Sequence, residues 1–93
     1  MSKTDNLYVM RNSRIPNEFK IGRSGDTARR KNDLERSQNF RIEILAIFPG
    51  AGRHETAVRR ALAHNAVAGF PGREWVHGPI SYILSVVAGV LHP

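Results

Sequence analysis

The apolar positions near the start of the chain fall into two short segments separated by polar residues. Residues 7–10 and 19–22 are apolar enough to form strands, and the polar stretch between them, residues 11–18, is rich in turn formers. The pattern predicts a β-hairpin with a wide loop.

Helical patterns follow at three places. Residues 28–37 are rich in Arg, Lys and Glu and come after a turn that offers Asp26 as an N-cap. Residues 54–68 carry an apolar stripe at helical spacing, and so do residues 80–91, which Pro79 is placed to open. The sequence therefore predicts three helices.

Residues 41–48 give the clearest strand, because apolar and β-branched residues alternate there. Residues 74–76 form a short segment before Gly78, to which the pattern assigns neither state. The predicted order is ββαβα, a turn, then α. This order favours an α+β domain with a small, mainly antiparallel sheet and helices packed on it.

Composition limits the chain to one domain and favours a polyanionic partner. Ninety-three residues with 41% hydrophobic content can build one core, so residues 1–93 are predicted to be a single domain, with its core at about 6–77 and a C-terminal helix at about 79–91. Fourteen Lys plus Arg against eight Asp plus Glu give a net charge of +6. Nucleic acid is the leading candidate partner, and an anionic membrane surface or no particular partner is the alternative.

Cysteine usage and hydropathy narrow the class of protein further. The absence of cysteine excludes disulfides, thiolate zinc sites and cysteine nucleophiles. The long apolar run at residues 80–91 spans 12 positions, short of the roughly 20 that a membrane helix needs. Residues 1–6 are polar and give no sign of a signal peptide. We therefore expect an intracellular, cytoplasmic protein without a membrane segment.

The predicted hairpin places a phenol and an amine on one face. Tyr8 shares its face with Met10, and Lys20 shares its face with Gly22 on the paired segment. An ammonium beside a tyrosine hydroxyl would lower the pKa of the phenol and make it a usable base or nucleophile. The alternative is that Tyr8 only packs and that Lys20 is a solvated edge residue.

Two further polar side chains are expected to face the body of the protein. Arg30 lies four residues before Leu34 and needs an anion, either a carboxylate or a phosphate. Glu55 shares the apolar stripe of the second helix, so it is paired, hydrogen-bonded or bound to a metal, or it only complements the helix dipole. One carboxylate with His54 beside it cannot build a zinc or calcium cage, whereas Mg²⁺ holding several waters remains possible.

Other basic residues are expected at the surface. They are Arg23, Arg29 and Lys31, and we predict that they contact backbone phosphates.

Taken in order, these positions resemble the GIY-YIG nuclease superfamily, and in particular its T5orf172 or MUG113 branch. The motifs are Asn6-Leu7-Tyr8 and Lys20-Ile21-Gly22, followed by Arg30 eight residues after Gly22, Glu55 before a helix, and Arg73-Glu74-Trp75. The resemblance runs from about Leu7 to Val76. No single motif is specific, but the order and the intervals together match that branch.

The resemblance implies a three-stranded antiparallel sheet flanked by helices, and hydrolysis of a phosphodiester with one divalent ion, Mg²⁺ or Mn²⁺. It makes Tyr8 the base or nucleophile and puts Lys20 where many relatives have a second tyrosine. It assigns Arg30 to the phosphoryl charge and Glu55 to the metal, while Gly22 allows close packing under the site. The chain departs from the broader pattern at Lys20 and at Leu34, where some relatives have a histidine.

The sequence thus predicts a metal-dependent DNA endonuclease. A non-catalytic nucleic-acid-binding module with the same fold is the alternative, and a third is an interaction protein that docks to a partner, or to its own copy, through residues 80–91. Trp75 is expected to cover the core as a structural residue rather than stack on bases together with Phe70.

Overall fold

The two N-terminal segments predicted as strands form the centre of an antiparallel sheet. In the computed structural model, which describes residues 5–65 and 75–93, strand β1 (Asn6–Asn12) pairs with β2 (Glu18–Ser24) on one side and with β3 (Ile42–Phe48) on the other. A short strand, β4 (Trp75–His77), adds to the outer edge of β2. The described residues form a sheet of order β3-β1-β2-β4, and all its pairs are antiparallel.

The predicted α+β class is confirmed, but the predicted number of strands was wrong. The fourth strand is β4, which pairs with the first half of β2 through Lys20 and Trp75. Three residues are too few for an alternating pattern to be recognised, and only the pairing with β2 makes the segment a strand.

Three α-helices of the described residues pack on this sheet. They are α1 (Thr27–Gln38), α2 (Glu55–Ala61) and α3 (Ile80–Leu91). Asp26 caps α1 as expected, because its Oδ1 accepts a hydrogen bond of 3.0 Å from the amide of Arg29. Helix α3 has the predicted bounds and follows Pro79 directly.

The second helix is shorter than predicted. It ends at Ala61, and the chain tightens into a 3₁₀ turn at Ala63–Asn65. The side chains of residues 63–65 are not buried in the core, and the Asn65 amide group donates to the carbonyl of His77 at 3.1 Å. The predicted continuation over residues 66–68 lies outside the described residues.

The sheet separates two apolar clusters. The larger cluster lies between one sheet face and the helices α2 and α3, and its buried members are Leu7, Val9, Phe19, Ile21, Val58, Leu62, Val76, Ile83 and Val87. The smaller cluster lies on the other face beneath α1 and contains Tyr8, Met10, Leu34, Ile42 and Trp75. Alternation along β1 and β2 therefore sends odd-numbered residues to the large core and even-numbered residues to the α1 side.

Trp75 is a core residue, as expected. It is buried and meets the ring of Phe40 edge-on, with ring centroids 5.7 Å apart. Phe70, the other aromatic considered for base stacking, lies outside the described residues. Within residues 5–65 and 75–93, no helix has the length and apolar character that crossing a membrane requires.

Candidate active site

Tyr8 and Lys20 lie on the same face of the sheet, as the alternation predicts. The register pairs Tyr8 with Gly22 and Met10 with Lys20, so the phenol and the amine are diagonal neighbours on the face beneath α1. Both side chains are buried, with Tyr8 1% exposed and Lys20 2% exposed. Lys20 is therefore an interior lysine, and the alternative of a solvated edge residue is wrong.

Gly22 makes room for the tyrosine ring. A β-carbon at this position would overlap the hydroxyl group and the adjoining ring carbons of Tyr8. The phenol therefore lies directly over the backbone of β2, held by the absence of a side chain there. The close packing that the resemblance implies at Gly22 is present.

Arg30 is the cation that interacts directly with Tyr8. It lies near the start of α1 as an exposed residue, and a side-chain hydrogen bond links it to the Tyr8 hydroxyl. Burial raises the pKa of Tyr8 above its ordinary value, while the hydrogen bond and the charge of Arg30 lower it and the charge of Glu55 raises it. Burial prevails, because an ionised phenolate loses its hydration in this position. The expectation that Lys20 lowers the pKa of Tyr8 was wrong.

The amine of Lys20 is itself strongly perturbed. Burial, followed by the charges of Arg30 and Arg59, lowers its pKa from 10.5 to about 8, against the opposing charge of Glu55. A lysine in this range is partly neutral near physiological pH and can accept a proton. Of the two groups, Lys20 therefore has the pKa closer to neutral pH.

Glu55 is the carboxylate of this group of side chains, and it is paired with arginines. It opens α2 with 17% of its side chain exposed, and its Oε2 accepts a hydrogen bond of 3.1 Å from Nη1 of Arg59. On its other side, Oε1 lies 3.7 Å from Nε of Arg23, which also lies 4.0 Å from Oδ2 of Asp5. The structure thus places an ion-pair network at the end of β2.

The donor set limits which metal ion fits this site. The described part of the chain contains no group of three or more His, Cys, Asp or Glu side chains arranged to hold an ion. Nε2 of His54, the residue beside Glu55, accepts from Arg53 at 3.3 Å. Glu55 alone suits a hard cation that keeps most of its coordination sphere as water, which describes Mg²⁺ and not zinc or calcium.

The predicted surface cations occupy different surroundings. Arg23 faces the carboxylates of Glu55 and Asp5, whereas Arg29 is an exposed residue in the first turn of α1. Lys31 is partly buried, with its amine 3.3 Å from Glu35. Their contact with nucleic acid stays a prediction.

Sequence reasoning missed Arg59 and Asp5. Arg59 follows Glu55 by four residues on the same helix, a spacing that favours an ion pair and was readable. Asp5 has no such signal, because only the fold brings its carboxylate near Arg23.

Comparison with known proteins adds one finding. The family model described as the T5orf172 domain matches residues 6–91. The match begins at the first residue of β1 and ends at the last residue of α3, so it extends beyond the resemblance seen at residues 7–76. No curated protein and no solved structure matches the chain.

Proposed function

This chain belongs to the T5orf172 domain family, a nuclease-associated family of GIY-YIG type, and from that premise we propose that it is a metal-dependent endonuclease that hydrolyses phosphodiester bonds in DNA. The observation that carries the proposal is the coupling of Tyr8, Lys20, Arg30 and Glu55. The charges of Arg30 and Glu55 act on both the phenol and the amine, whose pKa values are shifted in opposite directions. Perturbed groups of complementary type are characteristic of catalytic sites.

Arg30 is the group that meets the substrate phosphate. Arg30 is an exposed residue, and its hydrogen bond to the Tyr8 hydroxyl keeps its guanidinium group beside the phenol. A planar guanidinium is well suited to a phosphoryl group, whose negative charge grows on its outer oxygens during transfer. Arg30 therefore both orients the phosphate and stabilises its charge.

Tyr8 and Lys20 handle the proton of the attacking water. Because its pKa is raised, the Tyr8 hydroxyl is protonated at neutral pH and does not act as a preformed phenolate. The hydroxyl takes the proton of the water as its own proton passes to the neutral form of Lys20, whose pKa is about 8. The oxygen of the water then bonds to phosphorus as the bond between phosphorus and the leaving oxygen breaks, and the leaving oxygen takes its proton from a water molecule of the solvent.

Glu55 is the residue that would hold one Mg²⁺ or Mn²⁺ ion. Such an ion supplies positive charge to the phosphoryl oxygens. Glu55 retains an exposed fraction of its surface, and the longer of its two ion pairs is the 3.7 Å contact with Arg23. If a metal ion replaces Arg23 at Oε1 of Glu55, Arg59 continues to orient Oε2.

Cleavage by purified protein tests the proposal. Supercoiled duplex and single-stranded DNA are incubated with Mg²⁺, Mn²⁺ or EDTA, together with the Arg30→Ala and Glu55→Ala variants. We expect cutting that requires the metal and falls by about 10² to 10³ in each variant, which is the usual cost of removing a group that stabilises developing charge.

Matched controls come from charged residues away from the site. Arg36 pairs with Asp33 on the exposed side of α1, and Glu43 of β3 pairs with Arg11 of β1. Arg36→Ala and Glu43→Ala should keep nearly full activity. Cutting that persists in EDTA, or that survives both site substitutions, would contradict the proposed mechanism.

A non-catalytic nucleic-acid-binding module is the second candidate. It is favoured by the two arginines that pair with Glu55, because a binding protein needs no carboxylate available for a metal. DNA binding without cutting under every metal condition would support this alternative.

A further inference from the structure

A concave surface lies outside the candidate active site. It is a cavity of about 610 Å³ between the β1–β2 turn, the C-terminal half of α1 and the residues before β3. We call it the distal cavity, and its lining residues are Ser13, Arg14, Lys31, Glu35, Asn39, Phe40 and Arg41. Three of these carry positive charge and one carries negative charge, so the cavity is net cationic.

Hydrogen bonds between distant parts of the chain fix the walls of the distal cavity. The amide of Ser13 donates to the carbonyl of Arg41 at 3.0 Å, which ties the β1–β2 turn to the entrance of β3. Oε2 of Glu35 accepts a bond of 2.8 Å from the amide of Ile42. Asn39 ends α1 in the left-handed region, with φ 60°, and turns the chain sharply into the third wall. The cavity is therefore a formed feature of the fold.

The carboxylate in the cavity is already occupied. Besides the amide of Ile42, Glu35 contacts Nζ of Lys31 at 3.3 Å. In contrast, the side chains of Arg14 and Arg41 make no ion pair or hydrogen bond with any residue that the structure describes. Among the described residues that line the cavity, two guanidinium groups thus accompany one carboxylate, which the amide of Ile42 and Lys31 already engage and on which the charge of Arg41 also acts. The surplus positive charge favours an anion.

The distal cavity lies on the same side of the sheet as Tyr8, Lys20 and Arg30, along helix α1. Arg30 is near the start of α1, and Glu35 and Asn39 follow it by five and nine residues. At a rise of 1.5 Å per residue these positions lie roughly 7 and 14 Å further along the helix axis. Phe40 lines the cavity and contacts the ring of Trp75, whose strand pairs with β2 at Lys20.

This offset corresponds to a short stretch of nucleic acid. One strand carries a phosphate about every 3.4 Å of helix axis, so 7 to 14 Å is roughly two to four nucleotides. We propose that the distal cavity binds a backbone phosphate of the same strand, about two to four nucleotides from the phosphate held by Arg30, through Arg14 and Arg41. The position relative to the cleaved bond rests on the proposed function, whereas binding at the cavity does not.

The test compares two pairs of substitutions with the same change in charge. Arg14→Ala with Arg41→Ala removes the cavity cations. Arg36→Ala with Arg60→Ala removes two exposed arginines outside the cavity and serves as the control. Affinity for a fluorescent 12-nucleotide single strand is measured by anisotropy in EDTA at several salt concentrations.

We expect the cavity variant to bind roughly tenfold more weakly at 0.1 M salt, with the slope of log affinity against log salt reduced by about one. The control pair should change both quantities much less. Arg14→Lys with Arg41→Lys should keep most of the salt slope, because the charge is kept, and less of the affinity, because the guanidinium fork is lost. Equal losses in the cavity and control variants would overturn the proposal.

A second measurement separates this proposal from the proposed function. Bis(p-nitrophenyl) phosphate is a small phosphodiester that cannot reach both places, so the cavity variant should hydrolyse it at the rate of the wild type. If the wild type cuts no DNA and the cavity variant binds the strand more weakly than the wild type, phosphate binding at the distal cavity is supported and the proposed nuclease activity is excluded. If the wild type cuts DNA and the cavity variant binds the strand as tightly as the wild type, phosphate binding at the cavity is excluded and the nuclease activity stands.

Discussion

Lys20 is the residue at which the demands of folding and of function conflict most clearly. Its side chain is buried beside a phenol, and the charges of Arg30 and Arg59 disfavour its protonated form. An apolar side chain would fill this place without the cost of desolvating an amine. The presence of a lysine here supports a role in proton transfer.

The pH dependence of stability should reveal this conflict. The folded protein has a pKa of about 8 at Lys20, below the unfolded value of 10.5, so unfolding takes up a proton between these values. The unfavourable contribution is fully present below pH 8 and disappears as pH rises towards 10.5. We expect Lys20→Met to be more stable than the wild type at pH 7, by on the order of 2 to 3 kcal/mol, and this advantage to shrink above pH 8.

Urea denaturation at intervals from pH 7 to pH 10.5 measures the difference. Lys31→Met is the matched control, because Lys31 is a partly buried lysine on α1 that pairs with Glu35. The difference in the free energy of unfolding between Lys31→Met and the wild type should not shrink in this way above pH 8. A constant difference between Lys20→Met and the wild type across this range would contradict the lowered pKa.

The sequence predicts part of this site at the scale of single residues. Alternation with a period of two is enough to place Tyr8 and Lys20 on one face, and it does so correctly. It does not reveal that Arg30 contacts the phenol or that burial raises the pKa of Tyr8, because both depend on how α1 crosses the sheet. The direction of a pKa shift is a property of the packed surroundings.

Helix α1 is the element that organises the charged surface. Arg30 at its start serves the candidate active site, and Lys31 and Glu35 line the distal cavity. The helix has few apolar contacts with the sheet, since Thr27 and Leu34 are its buried residues. Its start is therefore fixed largely by the cap that Asp26 provides, which satisfies the amide of Arg29 at 3.0 Å.

Removal of that cap should affect both stability and cleavage. We expect Asp26→Ala to lower the free energy of unfolding by about 1 kcal/mol, the usual cost of losing an N-cap side chain. Cleavage should fall at temperatures where the protein remains folded, because Arg30 follows one turn after the cap. Thermal denaturation and a cleavage assay at 20 °C measure the two effects.

The control is a second aspartate on the same helix. Asp33 forms an ion pair with Arg36, whose side chain is 79% exposed, and such surface pairs contribute little. Asp33→Ala should leave both stability and cleavage nearly unchanged. If Asp26→Ala behaves in the same way, the position of Arg30 does not depend on the cap.

The elements themselves were predictable where local pattern decides them. Strand β3, helix α1 and helix α3 have nearly the bounds that their periodicity and caps predict. Strand β4 was missed because its pairing partner, β2, lies more than fifty residues earlier in the chain. The end of α2 was placed too late, because the chain tightens after Leu62 without a glycine or proline to mark the change.

At the scale of the whole molecule, the sheet separates α1 from the other two helices. Helix α1, Tyr8, Lys20 and the distal cavity lie on one side, whereas α2 and α3 cover the other, with Glu55 at the start of α2. Helix α3 contains no charged residue and packs inward through Ile83 and Val87. Its outer surface includes Tyr82, which is 45% exposed. A partner on α3 would therefore leave the side that carries Arg30 and the distal cavity free.

Self-association through α3 is the prediction that belongs to this scale. A single site cuts one strand at a time, so two linked copies are the simplest way to cut a duplex in one encounter. We expect the mass from light scattering to approach that of two chains at high concentration and to fall on dilution. Tyr82→Glu should keep the protein monomeric, because it puts a charge into the apolar surface.

Cleavage products provide an independent measure of the same interface. With supercoiled DNA, the Tyr82→Glu variant should accumulate nicked circles, while concentrated wild type should give a larger share of linear product. Both proteins should cut single-stranded DNA at the same rate per chain, since the substitution lies across the sheet from Tyr8 and Arg30. A wild-type mass of one chain at every concentration would rule out α3 as a self-association surface, and duplex cutting would then proceed by two separate encounters.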